Sequence, residues 1–199
     1  MINSQFAIQV LDATDPTGLT LRIEFVPLAD RYGHVLSVVE PDGQVHPILE
    51  SIESAATDEW PASPPLQNLS IEELTPGCRV ALLVGMAGRN HWSASIVPVP
   101  EQAAIDFDIA CRAANSVGPL GSAYVLASSQ PHANELLGDP DTPADVAVAD
   151  NIRLRIQALA GFECRATLAG ARVLIGPLVG SRPNSGTWRW KYRVALARA

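Results

Sequence analysis

Apolar and polar residues alternate with a period of two along much of this chain. Leu19, Leu21, Ile23 and Phe25 are separated by Thr20, Arg22 and Glu24, the pattern of a strand with one face inward and one in water. Ile105 to Cys111 repeats it. His34 to Glu40 and Val45 to Ile52 flank Glu40-Pro41-Asp42-Gly43, where proline presets φ and glycine supplies a positive φ, so a hairpin is predicted. A second hairpin is predicted from Arg79–Val84 and His91–Val97 around Gly85-Met86-Ala87-Gly88, and a third from Phe162–Leu168 and Arg172–Ile175 around Ala169-Gly170. Ala123 to Ala127 reads as a short strand and Thr187 to Leu196 as the last one. Antiparallel connections with one apolar face per strand imply a sandwich or a packed sheet.

Three segments break the pattern. Residues 57–66 contain Pro61, Pro64 and Pro65, which donate no ladder bonds, so an extended connection anchored by Trp60 is expected, with a proline-rich recognition segment as the alternative. Ser70-Ile71-Glu72-Glu73 has capping-box spacing, enough for a turn or two of helix before Pro76-Gly77. In residues 142–161 two patterns compete. Ile152 to Gln157 alternates like a strand, yet Thr142, Pro143 and Asp145 form a helix start, Gly161 sits where a helix-ending glycine belongs, and Val148, Ile152, Ile156 and Leu159 fall on one helical face. Matching start and stop signals favour a helix. The expected fold is therefore mainly β, antiparallel and sandwich-like, with one substantial helix at about 143–160 in the C-terminal third; α+β is the alternative. A single domain over 1–199 is expected, with 140–199 (helix plus basic hairpin) as an alternative subdomain.

Composition sharpens this. With 199 residues, 47% hydrophobic and 18% charged, the chain can bury a core, which excludes disordered and fibrous classes. The longest uncharged apolar run, Val80 to Gly88, is far short of the roughly 20 residues of a membrane-spanning helix. The first residues lack the basic and apolar regions of a signal peptide, and Cys78, Cys111 and Cys164 are odd in number with no CxxC. A cytoplasmic location, with no membrane partner, is the expectation.

Net charge is −7, which argues against nucleic acid as a partner. The charge is uneven. Residues 1–152 carry 20 acids and 5 bases, net −15, while 153–199 carry Glu163 against nine bases, net +8; the two sum to −7. Two readings follow: basic strands lie beside acidic ones within one body, or a basic face receives an acidic protein or a second copy. The last strand sets Trp188, Trp190 and Tyr192 on one face and Arg189, Lys191 and Arg193 on the other, so these three cations are the candidates for an anionic partner. A nucleic-acid platform needs rings and cations on the same face. Exposed rings would instead suit sugar stacking.

The histidines show neither HxH nor HExxH spacing, glycines form no phosphate-cradling loop, and no metal or cofactor is expected. Asp139, Asp141, Asp145 and Asp150 lack calcium-loop spacing, and Asp106 with Asp108 is a carboxylate pair such as any acidic chain offers. Two polar clusters enter strands, Asp30-Arg31-Tyr32-Gly33-His34 and Arg89-Asn90-His91-Trp92-Ser93, making Arg31, His34, His91 and Ser93 the ligand-binding candidates. Ser93 and His91 alternate on one strand face without a nucleophile elbow, so no catalytic residue is assigned.

Pro27 to His34, Asp58-Glu59-Trp60-Pro61 through Gln67, and Ala81 to Gly88 through His91-Trp92-Ser93 resemble segments of uncharacterised bacterial proteins with no assigned activity. The resemblance spans about the first half of the chain and implies a bacterial origin but no mechanism. The expected function is non-enzymatic binding or protein interaction, including self-association through acidic and basic regions. A small-molecule or carbohydrate-binding β-sandwich module is the second expectation and a hydrolase-like enzyme the third. The third requires His34 and His91 to share a pocket.

Overall fold

Among the residues described by the structure, a computed structural model covering 7–114, 117–127, 144–149, 151–162, 164–178 and 185–198, fourteen strands build two antiparallel seven-stranded sheets. The first runs in the order β1 (Gln9–Thr14), β2 (Thr20–Pro27), β3 (Tyr32–Val39), β4 (Val45–Ser51), β9 (Ser122–Leu126), β13 (Arg172–Pro177) and β12 (Cys164–Ala169). The second runs β10 (Ala144–Ala149), β11 (Ile152–Ala158), β14 (Gly186–Arg198), β8 (Ala104–Ala113), β7 (Asn90–Val99), β6 (Cys78–Ala87) and β5 (Asn68–Thr75). The described residues contain no α-helix; Pro100–Gln102 forms a single 3-10 turn.

Alternation explains the sandwich. Leu21, Ile23 and Phe25 of β2 and Ile105, Phe107, Ile109 and Cys111 of β8 are buried, while the residues between them face outward. Trp190, Tyr192, Val194 and Leu196 of β14 point into the same core. Trp92 meets Trp190 edge to face at 6.1 Å, and Phe107 stacks on Tyr192 at 4.7 Å. Each such ring pair adds about 0.5–1.5 kcal/mol beyond the area it buries.

The helix expected at 143–160 does not form. Residues 144–149 and 152–158 are the paired strands β10 and β11, with Val146 opposite Leu154 and Ala144 opposite Ile156, all four buried. A strand places Leu154 and Ile156 inward together, and β11 gains a full ladder against β14, seven pairs from Ile152↔Arg198 to Ala158↔Tyr192. Tertiary pairing outweighs the alanine-rich helix propensity. Gly161 adopts φ +84 in the turn closed by Phe162 N–H donating to the Leu159 carbonyl, and Asp145 binds Arg155 across the ladder rather than a helix end. Thr142, Pro143, Asp139 and Asp141 lie outside the described residues. The short helix at Ser70–Glu73 is also replaced by strand. Leu69 and Ile71 of β5 pack against the core two residues apart, a spacing that suits a strand.

The predicted hairpins appear as β3–β4, β6–β7 and β12–β13, but in β6–β7 the turn is Gly88-Arg89 and Gly85 lies within β6. Gly85 answers a different demand. Residues 52–67 cross from the first sheet to the second, and a Cβ on Gly85 would sit 1.7 Å from the Pro65 carbonyl oxygen. Pro61, Pro64 and Pro65 are buried in this crossing, which Ser63 pins to the backbone of Ala123 in both directions. Trp60 anchors it beside Gly118.

Candidate functional site

His34 and Arg31, both singled out in the sequence, lie inside the protein. The polar run Asp30–His34 leads into β3, whose alternation turns His34 inward toward Phe25 and Phe107. His34 Nε2 lies 3.0 Å from the Tyr124 hydroxyl, which lies 2.7 Å from that of Tyr192. Ser51 Oγ accepts the His34 backbone N–H at 2.9 Å and donates to Glu53 at 2.8 Å. Burial lowers the His34 imidazole to about 4, so it is neutral, and burial raises the Tyr124 and Tyr192 phenols. Burial likewise pushes the Glu53 carboxyl up, against the opposing pull of Ser51 and Arg31. Arg31 is 5% exposed and gives Nε and Nη2 to Asp30 at 3.0 and 2.7 Å. Its hydrogen bonds hold the Asp30 carboxyl below the ordinary range. The chain of imidazole and phenols looks like a proton relay but opens on no described cavity, so it orders the core.

The three cations proposed for an anionic partner are matched within the chain. In the β14–β8 register Lys191 faces Asp108 and Arg193 faces Asp106. Lys191 Nζ reaches Asp108 at 2.6 Å, Arg189 forks onto the same carboxylate, and Arg193 holds Asp106 through Nε at 2.6 Å and Nη2 at 2.9 Å. Burial alone would raise the Asp108 carboxyl; Arg189 and Lys191 outweigh it and keep it low. Asp106 and Asp108 are thus partners of β14. On the opposite face Trp190 is fully buried and Trp188 half-buried, leaving no open ring platform on this strand.

His91 and Ser93 lie elsewhere, on the water-facing side of the second sheet, so His34 and His91 do not meet. Four positions form one cross-strand row there: Met86 of β6, His91 of β7, Arg112 of β8 and Thr187 of β14. Neighbouring strands are about 4.8 Å apart, so Arg112 is flanked directly by His91 and Thr187. Arg89 adds a second guanidinium from the turn. Gly88 takes φ +57 at the first position of this two-residue loop, where hairpins use glycine. Buried Asn90 fixes the turn by accepting Ala114 N–H at 3.1 Å and donating to the Glu59 carbonyl at 3.4 Å. The result is an open groove of about 650 Å³ with Arg89, His91 and Arg112 in its wall and no carboxylate among its described lining residues. The Glu59 side chain lies against Gly88, but among the described residues Arg89, His91 and Arg112 join no ion pair.

Ser93 lies two residues from His91 on the same face, beside an exposed apolar row of Leu82, Val84 and Met86 on β6. Arg112 and Thr187 were missed because each is ordinary in its own strand. Reading β8 against β14 reveals them: the acids stop at Asp108, so the row beyond Ala110 has a cation without an acid. No cluster of three or more His, Cys, Asp or Glu suited to a metal occurs among the described residues, and no described helix is long and apolar enough to cross a membrane. No protein-family model, curated protein or solved structure matches the chain, so function rests on this geometry.

Proposed function

We propose that this protein is a non-enzymatic binding module of the cytoplasm, taking an anionic group of a partner protein in the groove of Arg89, His91 and Arg112. One observation carries it. On the same sheet face Arg155, Arg189, Lys191 and Arg193 each bond an aspartate of the chain, whereas Arg89 and Arg112 stand in a concave wall and join no ion pair among the described residues. In a chain of net charge −7 this is a local reversal of sign, which attracts carboxylates and phosphates. The partner supplies the matching acid.

The reducing compartment is supported by three free cysteines, two of them buried, with burial pushing the Cys111 thiol up to about 12 and Cys164 to about 11. Such thiols are inert packing groups. The test is titration of 15N-labelled protein with a hexaglutamate peptide. Backbone signals at 88–91 and 112–114 should shift, and the R89E/R112E variant should lose the response. Two exposed cations at roughly 0.5–1 kcal/mol each imply weakening by about 5- to 30-fold. Shifts spread evenly over the surface, or unchanged in R89E/R112E, would refute the assignment.

A further inference from the structure

Resting on that groove, we infer that its occupant is a second copy of the chain, inserting the tip of its β5–β6 hairpin. The tip and the groove occupy opposite ends of β6. From Cys78 to Ala87 is nine steps, roughly 30 Å at about 3.3 Å each, so a molecule cannot fill its own groove. What the tip offers is what the groove lacks. Glu72 and Glu73 are exposed and join no ion pair among the described residues. Between Glu73↔Arg79 and Thr75↔Cys78 the ladder skips Leu74, the extra residue of a β-bulge, and Leu74 is 62% exposed. Bulges re-aim side chains, and this one presents a leucine to water beside two carboxylates.

The tip also has a fixed shape. Glu73 Oε1 accepts the Gly77 N–H at 2.8 Å, and Gly77 holds φ +81. In the groove, Met86 is 44% exposed in the same row as His91 and Arg112, an apolar seat for Leu74 beside guanidiniums for Glu72 and Glu73. Arg79 stands opposite Glu73 in the ladder, with no ion pair between them among the described residues; Glu72 accepts the Ser70 hydroxyl and Glu73 the Gly77 N–H, each through Oε1, so both tip carboxylates keep Oε2 and their charge for a guanidinium. Because tip and groove are different surfaces, the contact is head to tail and propagates into short chains or closes as a ring. A hairpin tip in an open groove is smaller than a standard interface of about 1,600 Å², so association is weak and concentration-dependent.

Copies of net charge −7 repel at long range, and salt screens that repulsion together with the local pairs, so charge exchange is the decisive experiment. Sedimentation velocity over a concentration series should show the wild-type coefficient rising with concentration. R89E/R112E, with an acidic tip and an acidic groove, should stay monomeric. E72K/E73K, basic at both, should also stay monomeric. Mixing the two restores both junctions, and the coefficient should rise again. Since Glu73 caps Gly77, E72K/E73Q repeats the arm with an acceptor kept at that position. A wild type that is monomeric throughout, or a mixture that stays monomeric, overturns self-association. If hexaglutamate still binds wild type and E72K/E73K but not R89E/R112E, the anion groove stands and only the second copy is excluded; if it binds neither, the groove itself falls.

Discussion

Lowering the pH from 7 to 4 should cost the native state about 3 kcal/mol through one residue, His34. Its ordinary pKa of 6.5 falls to about 4 in the fold because the ring is sealed among Phe25, Phe107 and Tyr124. Between these values the unfolded chain binds a proton that the native state refuses. Stability therefore falls as pH falls, by up to about 1.4 kcal/mol per unit over about 2.5 units. Above 6.5 this contribution is flat. Against an ordinary total of about 5–15 kcal/mol the loss is large. Glu53, whose carboxyl is raised by burial, works the other way and gains stability as pH drops through its raised value. The lowered carboxyls of Asp30, Asp108 and Asp145 lose theirs only below about 3.8. A difference measurement isolates the histidine. Urea unfolding of wild type and H34Q should be compared at each pH from 7 to 4. Glutamine keeps a hydrogen bond within reach of the Tyr124 hydroxyl but cannot titrate. H34Q should be the less stable at pH 7, by roughly 1–3 kcal/mol for the imperfectly placed amide, and the gap should close or invert by pH 4. A gap constant with pH would show that water reaches the ring and that the core network is open.

Gly85→Ala places a methyl 1.7 Å from the Pro65 carbonyl, so thermal unfolding should show a loss of about 3 kcal/mol or more, larger than a glycine in open space such as Gly43 would give. Gly118→Ala, with the Trp60 ring at 2.3 Å, should loosen the same crossing, read as a red shift of tryptophan emission. Cys78, half-buried, should alkylate in the native protein while Cys111 and Cys164 react only on unfolding, as mass spectrometry of iodoacetamide adducts would show; simultaneous labelling of all three would contradict the burial. Asp108→Asn should cost only about 1 kcal/mol, since the pairs it removes are partly exposed, yet should create a second hexaglutamate site by releasing Arg189 and Lys191.

Strands with clean alternation and turn glycines were legible in the sequence: β2, β8, the β3–β4 hairpin, and β14 with its rings inward. The errors share one cause, that a short segment satisfies two geometries until its neighbours are known. Val148, Ile152, Ile156 and Leu159 share a helical face, but Ala144, Val146, Leu154 and Ile156 equally line strands, and only the β14 edge decides between them. Gly85 reads as a turn because glycine has two uses, positive φ and close approach; the approaching atom belongs to Pro65, twenty residues back. The His34 network escaped for the same reason. Its partner Tyr124 is 90 positions away, and Tyr192 a further 68. The polar cluster around His91 was visible, but its guanidinium neighbour Arg112 was not, because adjacency between β7 and β8 appears only in register.

The uneven charge of the chain has two structural outcomes, and they differ in what they can do. Where β14 crosses β8, cations and acids alternate in step: Arg193 on Asp106, then Lys191 and Arg189 on Asp108. Pairs this exposed contribute at most about 1 kcal/mol each, so they add little to stability and more to fixing register, since a slip of one residue would turn the cations into the core and Trp190 out to water. One row further on Ala110 stands opposite Arg189, and in the row after that Arg112 faces Thr187. A third aspartate there would have continued the same device. Its absence leaves Arg112 and Arg89 with no role in holding β8 to β14, because the ladder and the buried rings of Trp92 and Trp190 already do that. Unmatched charge in a concave, water-facing wall lowers no energy of the isolated fold; it lowers the energy of a complex whose second member brings the acid.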